Sequence, residues 1–416
     1  MWLPAFSSRS SAEPRTVASA LLRVAVAGLL GVLTGTLGAT PASADQIRDE
    51  QWQLMRLHAK DAWKLSDGGG VTVAVVDSGV DGRHPDLAGQ VLPGNDFVQP
   101  GGNGQADAVG HGTTVAALIA GRGDDADGIE GLAPKAKILP VRVLDGDNRY
   151  DDARTVANAV RWAVDHGAGV VNLSLGGTER SPELADAIDY AFEKDVVVVA
   201  CTGNEMPPEP DLVWYPAREP GVLAVTGLDH TTANRLWPGA LTGDQTVLAA
   251  PASELAGAKP GGGYTSVSGT SFAAPLVSAA AALVRSKWPH MSAADVVNRL
   301  ISTATDAGEP GRDGVFGFGI VNPIAALTAD MSSVDANPLD NQPPPGKASF
   351  GKAGAPASDG SLTPPQISAP PRQAAATVPV AEHRAGLAVL PAGLAIVLVL
   401  VGGATATLRR LGNRPH

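Results

Sequence analysis

Five short runs of β-branched and aliphatic residues recur through the middle of the chain: VTVAVVD (71–77), KILPVRVL (137–144), VVNLSLG (170–176), VVVVAC (196–201) and VLAVTG (222–227). The runs are nearly continuous in apolar character, and a strand with no polar face must be covered on both sides. Longer Ala-rich or amphipathic stretches separate them, which predicts helices over 112–121, 153–166, 182–194, 271–287 and 293–305. The last of these follows Ser292, with Asp295 three positions on as its capping-box partner. Strand and helix in alternation predict an α/β domain with a mainly parallel central sheet and helices on both faces. With 416 residues, 44% of them hydrophobic, the chain can build one such core and still carry flanking segments.

Those segments have their own signatures. Arg9, Arg15 and Arg23, an apolar run, and then Pro41-Ala42-Ser43-Ala44 give the order of a secretory signal peptide over 1–44. A retained N-terminal membrane anchor is the alternative reading. From about residue 330 the chain turns rich in Pro, Ala, Gly and Ser (NQPPPGK, TPPQ, APPRQ), a composition with too little apolar surface to order itself, and 330–384 is expected to be a linker. Residues 385–407 then form 23 uncharged positions, long enough to cross a bilayer as a helix, with Arg409, Arg410 and Arg414 behind them. The positive-inside rule leaves 408–416 as a short cytoplasmic tail and puts the globular part outside the cell membrane in a single-pass protein. The formal charge of −11 argues against nucleic acid as a partner. Cys201 is the single cysteine, so no internal disulfide can form, and its place after VVVVA reads as a buried small residue.

In a parallel sheet, ligands gather at the carboxyl ends of the strands. Asp77 ends the first run, where it could be a turn cap or a carboxylate delivered to a site. His111 stands between Gly110 and Gly112 at the start of a helix of small residues, either as a structural histidine or as a proton-transfer group that its glycines leave approachable. Ser271 lies in VSGTSFAAP at another helix start. Together they offer a hydroxyl nucleophile, an imidazole to take its proton and a carboxylate to orient the imidazole, in the chain order Asp, His, Ser.

With VAVVDSGVDGRHPDL, GHGTTVA and SGTSFAAP in that order, the sequence resembles the subtilisin family of serine proteases over roughly residues 50–328. VNLSLGG, GLAP and GFGIVNPIAAL are similar to further family segments. The resemblance implies a subtilisin-like α/β fold over 45–329 and an endopeptidase that hydrolyses polypeptides. It implies catalytic roles for Asp77, His111 and Ser271, an oxyanion role for Asn204 in ACTGNEMP, and backbone docking of substrate at Ser174, Leu175 and Gly176, with Gly176 and Gly177 leaving room for the side chain before the scissile bond. Residues 45–70 read as the domain's own lead-in, so that 45–330 is expected to fold without a separate prosegment. The Pro-rich linker and terminal span make the chain most similar to the mycosins, membrane-anchored proteases of type VII secretion, and so imply secretion-machinery membrane proteins as partners. Asp86 and the acidic loop 123–131 fall where related enzymes bind structural calcium, but the loop has no ligand spacing and reads better as solvated; no metal or cofactor is expected. A catalytically silent scaffold of a membrane complex is the competing class. An esterase of the α/β-hydrolase type is disfavoured because no G-x-S-x-G elbow occurs.

Overall fold

The computed structural model describes residues 44–123, 128–209, 211–231 and 234–340. The expected signal peptide up to residue 43, the linker beyond 340, the span 385–407 and the tail lie outside the described residues. No helix among the described residues is long and apolar enough to cross a membrane.

The core is a parallel sheet of seven strands: β1 (Thr72–Asp77), β2 (Asn95–Asp96), β3 (Lys137–Arg142), β4 (Val170–Leu173), β5 (Val197–Cys201), β6 (Leu223–Leu228) and β7 (Leu248–Pro251), in the order β2-β3-β1-β4-β5-β6-β7. The five apolar runs of the sequence supply β1, β3, β4, β5 and β6. Sequence reasoning missed β2 and β7. Pairing on the β2 side of β3 is interrupted at Pro140, which has no N–H to give, and resumes only at Val141 and Arg142, so β2 is two residues long. Strand β7 reads LAAP and has no β-branched residue to announce it. A small antiparallel ribbon, β8 (Leu255–Ala258) with β9 (Tyr264–Val267), lies outside the main sheet.

Helices cover both faces of this sheet. In chain order they are α1 (Ala44–Asp49), α2 (Trp52–Arg56), α3 (Ala59–Ala62), α4 (His111–Ala120), α5 (Ala153–Asp165), α6 (Pro182–Glu193), α7 (Thr270–Lys287), α8 (Ala293–Ser302) and α9 (Pro323–Thr328). Helices α4 and α7 pack on each other, α5 and α6 do the same, and the strands between touch both pairs. Helix α7 is small and apolar on every side and is buried from Thr270 to Val284, as expected of a helix with no polar face. Helices α5 and α6 instead carry polar outer faces and open on side-chain caps, Asp152 accepting from Arg154 N and Ser181 from Leu184 N. The expected cap at Ser292 is present: its Oγ accepts from Asp295 N at 3.0 Å.

Both ends of the described chain are fastened to this body. In the lead-in, Trp52 Nε1 donates to Ser253 O at 3.1 Å, Trp63 Nε1 donates to Leu132 O at 2.9 Å, and Gln51 exchanges two 2.9 Å bonds with the backbone of Glu130. After α9 the chain remains packed beyond residue 329. Val334 N donates to Asp295 Oδ1 at 2.7 Å, Asn337 Nδ2 donates to Gly221 O at 2.9 Å, and Gly221 N donates to Leu339 O at 3.2 Å, just ahead of β6.

Candidate active site

Strand β1 is flanked by β3 and β4 and ends in Asp77, whose side chain is fully buried. Its Oδ1 accepts from Ser78 N at 2.7 Å and from His111 Nδ1 at 2.7 Å. A carboxylate only accepts, so the bond fixes the His111 tautomer with its proton on Nδ1 and leaves Nε2 as the free acceptor. Burial alone would push the His111 pKa down. The Asp77 charge and hydrogen bond, with the charge of Asp107, outweigh it and raise the pKa above the ordinary imidazole value. Helix α4 reaches β1 this closely because its second residue is Gly112: a Cβ there would lie 2.1 Å from Gly79 O and 3.1 Å from Asp77 Cβ.

A second carboxylate, missed by sequence reasoning, holds the start of α4. Asp107 Oδ1 accepts from Ser78 Oγ at 2.9 Å, Val109 N at 3.0 Å and Gly110 N at 2.8 Å, while Oδ2 accepts from Thr113 N at 2.9 Å and Thr113 Oγ1 at 2.6 Å. Ser78 Oγ in turn accepts from Gly112 N at 2.9 Å. An acidic residue four positions before a helix-starting histidine was the available signal, since the unpaired N–H groups of a helix start attract a carboxylate.

Ser271 is the second residue of α7 and is fully buried beside the histidine: the rings of His111 and of the next residue, Phe272, lie 5.2 Å apart at 47°. The Ser271 hydroxyl does not engage His111. It donates to Cys201 Sγ at 3.9 Å, and His111 Nε2 is buried with no hydrogen-bond partner. Cys201 ends β5 as a fully buried thiol; burial pushes its pKa up to about 11, so it stays neutral at physiological pH. Its burial was expected from the sequence, its contact with Ser271 was not.

Asn204 follows β5 on the other side of the serine. Its Oδ1 accepts from Thr270 N and Thr270 Oγ1, each at 3.0 Å, and Thr270 Oγ1 also accepts from Gly203 N at 3.2 Å. The amide is thereby oriented with its oxygen toward the backbone, and Nδ2 is left buried and unpaired. Buried polar atoms are nearly always paired, so two orphans flanking one serine, an acceptor on His111 and a donor on Asn204, mark a place built for a group that arrives from outside. Such a set can take a proton from a hydroxyl and stabilise negative charge on an attacked carbonyl oxygen.

The ladder between β4 and β5 stops at Leu173 and Ala200, and the chain runs on through Ser174, Leu175 and Gly176 until Gly177 pairs with Tyr215. The side chains of Ser174 and Leu175 are buried. Ser174 Oγ donates to the carbonyl of Ser271 at 2.6 Å and accepts from Asn172 Nδ2 at 2.9 Å, and Asn172 Oδ1 accepts from Ser278 Oγ at 2.9 Å. This polar chain ties β4 to the first three turns of α7. One expectation is corrected: Gly176 does not leave open room. A Cβ there would lie 2.6 Å from Tyr215 O and 3.1 Å from Trp214 Cβ, because the segment after Val213 packs directly against it.

At the position considered for calcium, Asp86 spends its carboxylate on protein groups, with Oδ2 accepting from Ile129 N at 2.7 Å and Oδ1 from Tyr264 OH at 3.2 Å. Residues 124–127 of the acidic loop lie outside the described residues. Among the described residues no three His, Cys, Asp or Glu side chains converge as a metal site.

Comparison with known proteins covers the same region. The subtilase family model, peptidase family S8, matches residues 68–319. Thermitase from Thermoactinomyces vulgaris is 39% identical over 237 residues, covering 57% of this chain and 82% of thermitase. Among solved structures, MycP1 from the ESX-1 type VII secretion system is similar with a TM-score of 0.62 at 30% identity, covering 70% of this chain and 89% of that one. The MycP3 protease from the type VII (ESX-3) secretion system is similar with a TM-score of 0.57 at 33% identity, covering 67% and 88%.

Proposed function

The chain belongs to the subtilase family and is a serine peptidase, and from that premise we propose that it is a membrane-anchored, extracytoplasmic endopeptidase whose triad is Asp77, His111 and Ser271. The Ser271 hydroxyl turns from Cys201 to His111 Nε2, loses its proton there and attacks the carbonyl of an extended polypeptide lying along Ser174, Leu175 and Gly176. Asp77 holds the imidazole and offsets its positive charge. Asn204 Nδ2 and the backbone N–H of Ser271, in the first turn of α7 where no intrahelical acceptor exists, stabilise the oxyanion. Protonated His111 then gives its proton to the departing amine, and water repeats the sequence on the acyl-enzyme. Every step draws on side chains and backbone of this chain, with no cofactor.

The observation that carries the reading is the 2.7 Å bond from His111 Nδ1 to Asp77, which leaves Nε2 buried and unpaired next to the helix that bears Ser271. The test is labelling of the purified full chain with a serine-directed fluorophosphonate. Labelling that disappears in Ser271→Ala supports the triad; an intact chain that never labels refutes it. One observation favours the competing scaffold reading, namely that Ser271 bonds to Cys201 and not to His111. The same experiment separates the two.

The anchored part of the proposal rests on the signal-like residues 1–44, the linker composition of 330–384 and the apolar stretch 385–407. Similarity to MycP1 and MycP3, which are named for type VII secretion systems, supports action on proteins at such a machine and contact with its membrane components. Membrane fractionation of the full chain against a chain ending at Pro379 tests the anchor: both sedimenting with membranes would remove the role of 385–407. Secretion restored as fully by the truncated chain as by the full one would remove the need for tethering.

A further inference from the structure

Two glycines, Gly176 and Gly203, bracket one aromatic side chain. A Cβ on Gly203 would lie 2.4 Å from Cδ2 of Trp214 and 2.7 Å from Cγ and Cε2, so the indole rests with its ring directly on the Gly203 backbone. A Cβ on Gly176 would lie 3.1 Å from Trp214 Cβ and 3.4 Å from Cε3. The indole is thus held between the segment carrying Ser174 and Gly176 and the segment carrying Gly203 and Asn204. It is 2% exposed and is packed against Leu241 and Met206. Its backbone is fixed as well, with Trp214 N donating to Thr202 O at 2.8 Å, and the next residue is locked by two bonds with Gly177.

The two segments that sandwich Trp214 are the two that meet Ser271. Ser174 reaches the Ser271 carbonyl, and Gly203 and Asn204 are bonded to Thr270 immediately before it. The space between them, which the indole fills, therefore adjoins Ser271, and a peptide docked along 174–176 would direct toward it the side chain of the residue whose carbonyl is attacked. With a small residue at 214 that space would have glycine on both walls; the buried indole occupies it instead.

We infer that Trp214 fills the recess for the residue on the acyl side of the scissile bond, and that the enzyme cleaves after glycine, alanine or serine and rejects larger residues. The inference rests on the peptidase reading above and adds to it the class of bond cut. Rejection here is steric, by a wall that is itself packed from behind, which is discrimination by a built-in clash with the larger residues.

The test compares full-length wild type and Trp214→Ala on peptides that differ only in Ala, Leu or Phe before the scissile bond, with fluorophosphonate labelling of each protein as a control. Wild type is expected to favour Ala over Phe by about 100-fold in kcat/KM, the scale of discrimination a filled pocket gives. In Trp214→Ala that ratio falls at least about tenfold, through a gain on the Phe peptide. If removal of the buried indole prevents folding, Trp214→Phe and the wild-type ratio decide the matter without it. A wild-type protein that labels with the probe and prefers Ala by less than about tenfold overturns the inference and leaves the peptidase reading intact. A wild-type protein that neither labels nor cleaves any of the peptides overturns both.

Discussion

The two halves of the site are held in different ways. On the histidine side, α4 is fastened by charge: Asp77 grips the ring, Asp107 collects five donors around the helix start, and Gly112 lets helix and strand touch. On the serine side, α7 is fastened by neutral groups, with Ser174, Asn172 and Ser278 on one flank and Thr270 with Asn204 on the other, and the hydroxyl itself rests on a neutral thiol. In the proposed mechanism His111 stands in its working tautomer and orientation before substrate arrives, whereas Ser271 has to turn from Cys201 to reach it. Charge is concentrated at the imidazole, where that mechanism forms a positive ion, and kept away from the hydroxyl it uses as nucleophile.

Substitutions can break this contrast at four depths. The largest effect is expected for Ser271→Ala, a loss on the order of 10⁶ in kcat, the scale found when serine or histidine is removed from subtilisin. Peptide hydrolysis and active-site titration measure it, and the Asp77–His111 pair should survive, as NMR of the imidazole would show. Next comes Asn204→Ala, with an expected loss of about 10² to 10³ in kcat, because one oxyanion donor goes and the nucleophile stays. Equal losses at 271 and 204 would contradict the division of roles.

The third substitution tests the charged half. Because the His111 pKa is raised above the ordinary imidazole value, its neutral, proton-accepting form becomes the majority only above pH 6.5, and kcat/KM is expected to climb through a limb centred above that value. Asp107→Asn removes a charge that raises this pKa, so the limb moves toward acid. A limb that moves toward alkali would mean that Asp107 does not act on the imidazole through its charge. The smallest effect belongs to Cys201→Ala. The O–H to sulfur contact is a weak hydrogen bond of under about 1 kcal/mol, so freeing Ser271 should raise the rate of fluorophosphonate labelling by no more than about fivefold. A large drop would show that the thiol supports the nucleophile. Thiol reagents should modify Cys201 only after unfolding, since it is fully buried with a pKa of about 11.

The same contrast explains what the sequence could disclose. Asp77, His111, Ser271 and Asn204 stand at strand ends or helix starts, positions that apolar runs and flanking glycines mark locally. Asp107 was within reach of such reasoning, four residues ahead of His111. The neutral supports were not: Ser278 finds Asn172 across 106 positions and Ser174 finds Ser271 across 97, and nothing local in either partner records the meeting. Trp214 is the sharpest case. Gly176 read alone suggests space, and only folding reveals that the space belongs to an indole from another segment. Among strands, the five long buried apolar runs were legible, while LAAP, LAGA, the two-residue β2 and the short, partly exposed YTSV of β9 owe their conformation to neighbours.

The seam at Gly221 has a mechanical consequence. In a parallel sheet all strands begin at one edge and end at the other, so Gly221, just before β6, lies at the opposite edge from Asp77 and Cys201, about 20 Å away along a six-residue strand. Any pull on the chain beyond residue 340 is borne first by the bonds of Leu339 and Asn337 to Gly221 and of Val334 to Asp295. Tension therefore enters the domain at the edge without chemistry and peels a short strap before it reaches a strand, so the geometry around Ser271 is shielded from load on the tail.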